Sequence, residues 1–189
     1  MSDSSFVSLL AHSNTPNEAV RRVAARAQPA GPDSLRLQYV LEADLEHVLR
    51  IPLPAVHAGR MDELWAHTCF EAFVALPQGP GYLELNFSPS GEWAAYRFES
   101  YRAGMLPAVL DEAPRLALRR NGARLELQAE VSLRGTEVSG SRRLRLALST
   151  VVEDREGRLS YWALRHAPGR PDFHHPDSFA LALELPATP

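Results

Sequence analysis

The sequence has no lysine, so its 20 basic residues are all arginine, and 23 aspartates and glutamates outnumber them. The formal net charge is −3. A protein that binds nucleic acid without sequence preference needs a positive surface to neutralise the phosphates. The charge balance therefore argues against nucleic acid as a partner.

Cysteine and long apolar runs are equally scarce. Cys69 is the single cysteine, so an intramolecular disulfide is excluded. No stretch reaches the roughly 18 apolar residues of a membrane span. The first residues, MSDSSFVSLLAHS, lack the basic start and apolar core of an export signal. We therefore expect a cytoplasmic protein without a membrane partner.

Alternating apolar and polar residues are what the chain does have. In the segment 35–41, LRLQYVL, every second side chain is apolar, which is typical of a strand with one buried face. Further segments of this kind are 68–76, 82–87, 93–98, 115–120, 123–133, 144–153, 159–166 and 179–185. The pattern predicts an all-β fold, an antiparallel β-sandwich of about ten strands with little helix, in one domain spanning residues 1–189.

The segment 17–28, NEAVRRVAARAQ, is ambiguous. Val20, Val23, Ala24 and Ala27 recur at helical spacing. Periodicity alone therefore predicts a helix in this segment.

The segment 82–98, YLELNFSPSGEWAAYRF, predicts a hairpin. With a four-residue loop at 88–91, Phe87 pairs with Glu92 and Leu83 with Tyr96. One face is then apolar and packs on the core, while the other combines an aromatic ring with hydrogen-bonding side chains. Its members are Tyr82, Glu84, Asn86, Trp93 and Arg97. Such a face suits a hydroxyl-rich ligand, although one wet face is common in antiparallel sheets.

Glu71 is a second unusual carboxylate. It lies between Cys69 and Phe73 in a segment whose two faces are both apolar. A carboxylate in such surroundings needs a partner, and Arg97 or Arg165 could supply one. Glu71 then belongs either to a buried structural ion pair or to the floor of a polar pocket.

Three segments carry a resemblance to a known family: LWAHTCFEAFVA, YLELNFSPSGEWAAYRFESYR and YWALRHAPGRPDFHHPDSFALAL. Together they resemble the bacterial DOMON-like proteins related to family 9 carbohydrate-binding modules, over roughly residues 8–185. The resemblance implies a noncatalytic, ligand-binding β-sandwich and a strand at 17–28. It also implies a structural role for the closing FHHPDSF element.

The recognised motifs of catalysis are missing from the sequence, including the nucleophile elbow, the phosphate-binding loop and the metalloprotease helix. Glu71 and Glu84 could form the carboxylate pair of a glycoside-acting enzyme. The adjacent His174 and His175 would point to opposite faces of a strand, so they cannot share a metal ion on regular backbone. We therefore predict no catalytic residue and no metal.

The leading hypothesis is a noncatalytic domain that binds a carbohydrate or a sugar-containing metabolite. The predicted ligand-binding residues are Tyr82, Glu84, Asn86, Trp93, Arg97 and Glu71 on the sheet face, with Trp65 and Arg165 for a site at the end loops. The alternative is a b-type haem site, which needs two axial ligands; Met61 and His166 are the candidates. Covalent haem attachment is excluded because the sequence has no CxxCH motif.

Overall fold

The computed structural model describes residues 5–187, and within this range the chain forms an antiparallel, all-β fold with two short 3-10 turns, Leu64–Ala66 and Pro176–Ser178. The predicted domain, residues 1–189, extends beyond the described range at both ends. The strands are β1 (Val7–Ala11), β2 (Val20–Gly31), β3 (Ser34–Ala43), β4 (Cys69–Ala75), β5 (Tyr82–Phe87), β6 (Trp93–Phe98), β7 (Leu106–Pro107), β8 (Arg115–Asn121), β9 (Arg124–Ser132), β10 (Arg143–Glu153), β11 (Leu159–Ala163) and β12 (Leu181–Glu184). Twelve strands in residues 5–187 exceed the predicted number of about ten.

The strands follow one continuous hydrogen-bonded path in the order β7-β6-β5-β4-β10-β11-β1-β2-β3-β9-β8, with β12 attached to β10. The short strand β1 links the two halves of this path, because its first residues pair with β2 and its last two with β11. The fold is therefore one curled sheet, where the sequence predicted a sandwich.

The two halves of the curled sheet pack face to face around the main core. The hydroxyl of Tyr39 on β3 donates a hydrogen bond of 2.7 Å to the backbone carbonyl of Glu71 on β4. The rings of Tyr39 and Phe70 lie 5.2 Å apart. Alternation produces this core, because Phe70, Ala72 and Val74 point inward from β4. The side chain of Glu71 therefore points away from the main core.

The ambiguous segment 17–28 is a strand over most of its length, so the helix predicted from periodicity is wrong. Strand β2 is hydrogen-bonded to β1 on one side and to β3 on the other. The ladder with β3 runs along nearly all of β2 and gives its backbone groups partners outside a helix. Val23, Ala25 and Ala27 are buried in the main core at a spacing of two.

The hairpin of β5 and β6 has a five-residue loop, 88–92, and not the predicted loop of four. Phe87 pairs with Trp93, Leu85 with Ala95 and Leu83 with Arg97. The loop closes through a hydrogen bond from the backbone N–H of Ser88 to the carbonyl of Glu92, at 2.9 Å. A shift of one residue moves every β6 side chain to the opposite face. The predicted assignment of the β6 side chains to faces is therefore wrong.

The outward face of β4, β5, β6, β10 and β11 carries a second cluster of buried residues. Its members include Cys69, Phe73, Tyr82, Ala94, Tyr96, Phe98, Val151 and Phe173. Buried polar side chains on this face include Glu71, Glu84 and Asn86. Within residues 5–187 no helix is long and apolar enough to span a membrane.

Candidate functional site

A cavity of about 580 Å³ opens on the outward face of the sheet, over β4 and β5. The loops that follow β6 and precede β12 contribute to its wall. The residues that define its chemistry are Trp65, Glu71, Glu84, Phe98, Arg102, Tyr161 and His174. Acidic groups and aromatic rings thus meet in one concave space, which has the size of a small-molecule site.

Strands β4 and β5 place two carboxyl groups side by side at the bottom of this cavity. Glu71 pairs with Asn86, and Glu84 with Phe73, so the two glutamates are diagonal neighbours on one face, with Cα atoms roughly 7 to 8 Å apart. Their exposed fractions are 2% and 4%. Oε1 of Glu84 accepts a hydrogen bond of 2.7 Å from Nδ2 of Asn86. Oε1 of Glu71 is buried and has no hydrogen-bond partner within residues 5–187.

Burial changes the protonation of both glutamates. Loss of solvent, reinforced by the charge of Glu84, holds the pKa of the Glu71 carboxyl well above its usual range. Burial raises the pKa of Glu84 to about 7, although the hydrogen bond from Asn86 and the charge of Arg102 oppose the shift. The two groups titrate as a pair. The pair therefore retains a proton to higher pH than two isolated carboxyl groups would.

His174 links this acidic floor to the wall of the cavity. Its Nε2 lies 3.9 Å from Oε2 of Glu84, and its Nδ1 lies 2.8 Å from the hydroxyl of Tyr82. Burial, together with the charge of Arg102, lowers the pKa of His174 to about 4, so the imidazole is neutral near pH 7. The hydroxyl oxygen of Tyr82 already accepts the backbone N–H of Arg102 at 3.2 Å. The Tyr82 hydroxyl can therefore donate its own proton to Nδ1 of His174. The imidazole proton of His174 then lies on Nε2, which faces Glu84.

The rim of the cavity is held by Asp172. Its carboxylate accepts a hydrogen bond of 2.9 Å from the guanidinium of Arg102 and another from the hydroxyl of Tyr101. The same carboxylate caps the backbone N–H of His174 at 3.0 Å. Asp172 therefore ties the loop after β6 to the loop that carries His174, which keeps the imidazole over Glu84.

Aromatic rings form the remaining walls. Phe98 stacks on Tyr82 with centroids 4.8 Å apart and planes 11° from parallel. Trp65 meets Tyr96 edge to face at 5.5 Å. Tyr161 and Phe173 lie 5.8 Å apart. Flat apolar walls beside hydrogen-bonding groups suit a ligand with both C–H faces and hydroxyl groups, as a sugar ring has.

The structure brings together only part of the predicted site. Glu71, Glu84 and Trp65 line the cavity. The site therefore combines the predicted sheet-face site, which supplies the glutamates, with the predicted end-loop site, which supplies Trp65. Tyr82 and Asn86 lie on the same face and contact His174 and Glu84.

Trp93 and Arg97 lie on the other side of the sheet, because of the five-residue loop. Trp93 packs against the main core, with the guanidinium of Arg60 5.7 Å above its ring. Arg97 forms an ion pair with Glu137, and Arg165 is exposed. The prediction that Arg97 partners Glu71 is therefore wrong. Arg165 does not donate to Oε1 of Glu71 either, because this oxygen has no hydrogen-bond partner within residues 5–187.

The two predicted haem ligands contact different parts of the molecule. Met61 is half-exposed, and its backbone N–H donates to the carbonyl of Trp93 at the start of β6. His166 follows β11, where its Nε2 lies 2.8 Å from the carbonyl of Leu10. Strands β5, β4 and β10 separate β6 from β11 in the sheet. Within residues 5–187 no group of three or more His, Cys, Asp and Glu side chains is arranged to hold a metal ion.

Sequence reasoning missed Phe98, Arg102, Tyr161 and His174 as lining residues. With a five-residue loop, alternation along β6 places Phe98 opposite Tyr82, on the same face as Glu84. The FHHPDSF segment did indicate that His174 is constrained, but as a structural residue. Arg102 could not be recognised, since it belongs to a loop and has a left-handed backbone with φ of 52°.

Comparisons with known proteins show the fold. A protein from Bacteroides uniformis, provisionally described as carbohydrate-binding, superposes with a TM-score of 0.70 at 16% identity, covering 97% of this chain and 87% of that one. A family 9 carbohydrate-binding module from Caldicellulosiruptor kristjanssonii, in complex with cellotriose, gives a TM-score of 0.58 at 10% identity, covering 99% and 85%. No family model and no curated protein matches the chain. The chain is therefore an all-β protein that shares the fold of these two structures.

Proposed function

We propose that this protein is a noncatalytic sugar-binding domain and that the cavity over β4 and β5 is its site. The observation that carries the proposal is the buried, unpartnered Oε1 of Glu71 in a cavity with aromatic walls. An unpaired buried carboxyl oxygen costs about 1 to 3 kcal/mol, and a sugar hydroxyl in the cavity would remove this cost. The fold shared with a cellotriose-bound module supports the same ligand class.

The arrangement of the carboxyl groups supports binding over glycoside cleavage. A glycosidase needs its two carboxyls on either side of the scissile bond. Glu71 and Glu84 both rise from the floor of the cavity, as neighbours on adjacent strands. They can hydrogen-bond to one edge of a sugar, but they do not flank it.

We expect glucose or cellotriose to stabilise the protein and Trp65→Ala to abolish this effect. Ligand at about 100 times its Kd stabilises by about 2.7 kcal/mol, which corresponds to a Tm rise of roughly 5 to 10 °C at this chain length. Trp65→Ala removes a cavity wall, so its Tm should not respond. Differential scanning calorimetry and titration calorimetry measure the two effects.

Trp93→Phe is the matched control, since Trp93 lies on the opposite side of the sheet and should keep the full response to sugar. An unchanged Tm of the native protein across a panel of neutral and amino sugars would overturn the proposed function. Equal loss of binding in Trp65→Ala and Trp93→Phe would overturn the assignment to this cavity.

A further inference from the structure

A row of buried polar side chains runs through the sheet at the floor of the cavity. Asn86, Glu71 and Ser149 lie in one row across β5, β4 and β10 and face the same way. Each is buried, and each has an oxygen without a partner within residues 5–187: Oδ1 of Asn86, Oε1 of Glu71 and Oγ of Ser149. Of the three, Glu71 lines the cavity, together with Glu84. A ligand that donates hydrogen bonds to these two carboxyl groups would therefore satisfy the open acceptor of Glu71.

Two arginines line the cavity, Arg102 and Arg170, and within residues 5–187 neither forms an ion pair with Glu71 or Glu84. Arg102 acts on Glu84, but its guanidinium is already paired with Asp172 at 2.9 Å. His174 is the other basic group beside Glu84, and it is neutral near pH 7. A positively charged ligand would therefore meet two carboxyl groups that are not already paired with an arginine within residues 5–187.

The walls suit an organic cation. Trp65, Phe98 and Tyr161 all line the cavity, and aromatic faces attract ammonium groups, most strongly where water is excluded. A primary ammonium group has three N–H donors and one positive charge. It thus offers donors and a positive charge to the two carboxyl groups of the floor, and a cation to the aromatic rings around them.

We propose that the ligand of this cavity is an amino sugar, bound through a protonated primary amine placed over Glu71 and Glu84. The inference rests on the proposed sugar-binding function and specifies its ligand class. Charge-assisted hydrogen bonds to the buried carboxyls distinguish this ligand from the neutral sugar of the same size.

Binding of the cation releases a proton. The carboxyl pair retains a proton to higher pH than isolated carboxyl groups would, and a nearby ammonium favours the ionised form. The titratable or charged groups around the pair are Cys69 from β4, Tyr82 from β5, Tyr96 from β6, Tyr161 from β11, Arg102 after β6, and Arg170, Asp172 and His174 before β12. Desolvation holds the pKa of the Tyr82, Tyr96 and Tyr161 hydroxyls and of the Cys69 thiol above their usual ranges, so the glutamates supply the proton.

Titration calorimetry near neutral pH with glucosamine, glucose and N-acetylglucosamine tests the proposal. We expect glucosamine to bind about 10- to 100-fold more tightly than the two neutral sugars, as a hydrogen bond to a charged group allows. The enthalpy for glucosamine should change between phosphate and Tris buffers, because a released proton is taken up by the buffer. The enthalpy for glucose should not change.

Glu84→Gln keeps the size of the side chain and its acceptor for Asn86, but removes the charge. This variant should lose the preference, with glucosamine and N-acetylglucosamine binding within about twofold of each other. Glu126→Gln, on β9 in the other half of the sheet, is the matched control and should keep the preference. Circular dichroism establishes that both variants are folded.

The outcomes separate the two proposals. If glucose and glucosamine bind equally well in the native protein, the cavity binds sugars but the amine assignment is wrong. If none of the three sugars binds, the sugar-binding function itself fails. A Tm rise with calcium chloride alone that equals the rise with glucosamine would assign the acidic floor to a metal ion and overturn the proposal.

Discussion

At the scale of single residues, Glu71 and Glu84 are the most informative side chains. Both could be recognised in the sequence as carboxylates between apolar neighbours. Their surroundings could not, because the imidazole beside Glu84 comes from His174, 90 positions along the chain. Sequence neighbours of Glu71 show that it is buried, but only the fold shows that its Oε1 is unpartnered.

The raised pKa of Glu84 makes a prediction about stability and pH. The folded-state value is about 7, against 4.5 for the ordinary side chain. The folded state therefore binds more protons than the unfolded state between these values, and this stabilising contribution is lost as the pH rises through them. Glu84→Gln removes the titrating group. We therefore expect the free energy of unfolding of the variant, relative to that of the native protein, to rise by about 3 kcal/mol between about pH 4 and pH 8.

Urea denaturation at several pH values measures this change. The comparison must be between variants, because His174 acts in the opposite direction. Its pKa is lowered from 6.5 to about 4, so its contribution to stability grows as the pH rises over that range. A difference between Glu84→Gln and the native protein that stays constant over this pH range would contradict the burial of this carboxyl.

At the scale of secondary-structure elements, alternation located strands well. The bounds of β5 and β6 agree with the predicted segments 82–87 and 93–98. The strands missed were β1, whose sequence VSLLA does not alternate cleanly, and β7, whose two residues are too few to show a pattern. Register was harder, because one extra residue in the loop moved Trp93 and Arg97 away from Glu84. Loop length was the least predictable feature of the hairpin and had the largest effect on the site.

The turn before β5 offers a test of local packing. A Cβ atom at Gly81 would lie 2.8 Å from the backbone carbonyl oxygen of Phe98 and 2.8 Å from Cδ1 of Leu76. Gly81→Ala should therefore destabilise the protein by about 1 to 3 kcal/mol, since the carbonyl is held by the sheet.

Gly59→Ala is the matched control for thermal unfolding, because a Cβ atom there meets nothing within 4 Å. Its stability should stay within about 0.5 kcal/mol of the native value. Equal Tm values for the two alanine variants would show that the turn relaxes freely.

At the scale of the whole molecule, the curled sheet brings its halves together around Tyr39. The buried hydroxyl donates to the backbone carbonyl of Glu71, directly beneath the cavity floor. Tyr39→Phe keeps the ring against Phe70 and removes only this bond, so we expect a loss of about 1 kcal/mol in the free energy of unfolding.

Tyr101→Phe removes the exposed hydrogen bond to Asp172. Water can solvate the carboxylate in its place, so this variant should lose less free energy of unfolding than Tyr39→Phe. Chemical denaturation compares the two variants. If Tyr39→Phe were as stable as the native protein, the hydrogen bond between the halves would contribute nothing to stability.

The sequence by itself determined the all-β class, most strands and the presence of two carboxylates in apolar segments, because alternation and composition are local properties. Tertiary structure alone decided that the sheet is continuous, which β6 side chains face Glu84, and that His174, Arg102 and Trp65 meet over it. These features depend on loop lengths and on contacts between residues far apart in the chain. The physical reason is that alternation along a strand only divides its side chains between two faces. Pairing with neighbouring strands decides which of these faces is buried and which residues it contacts.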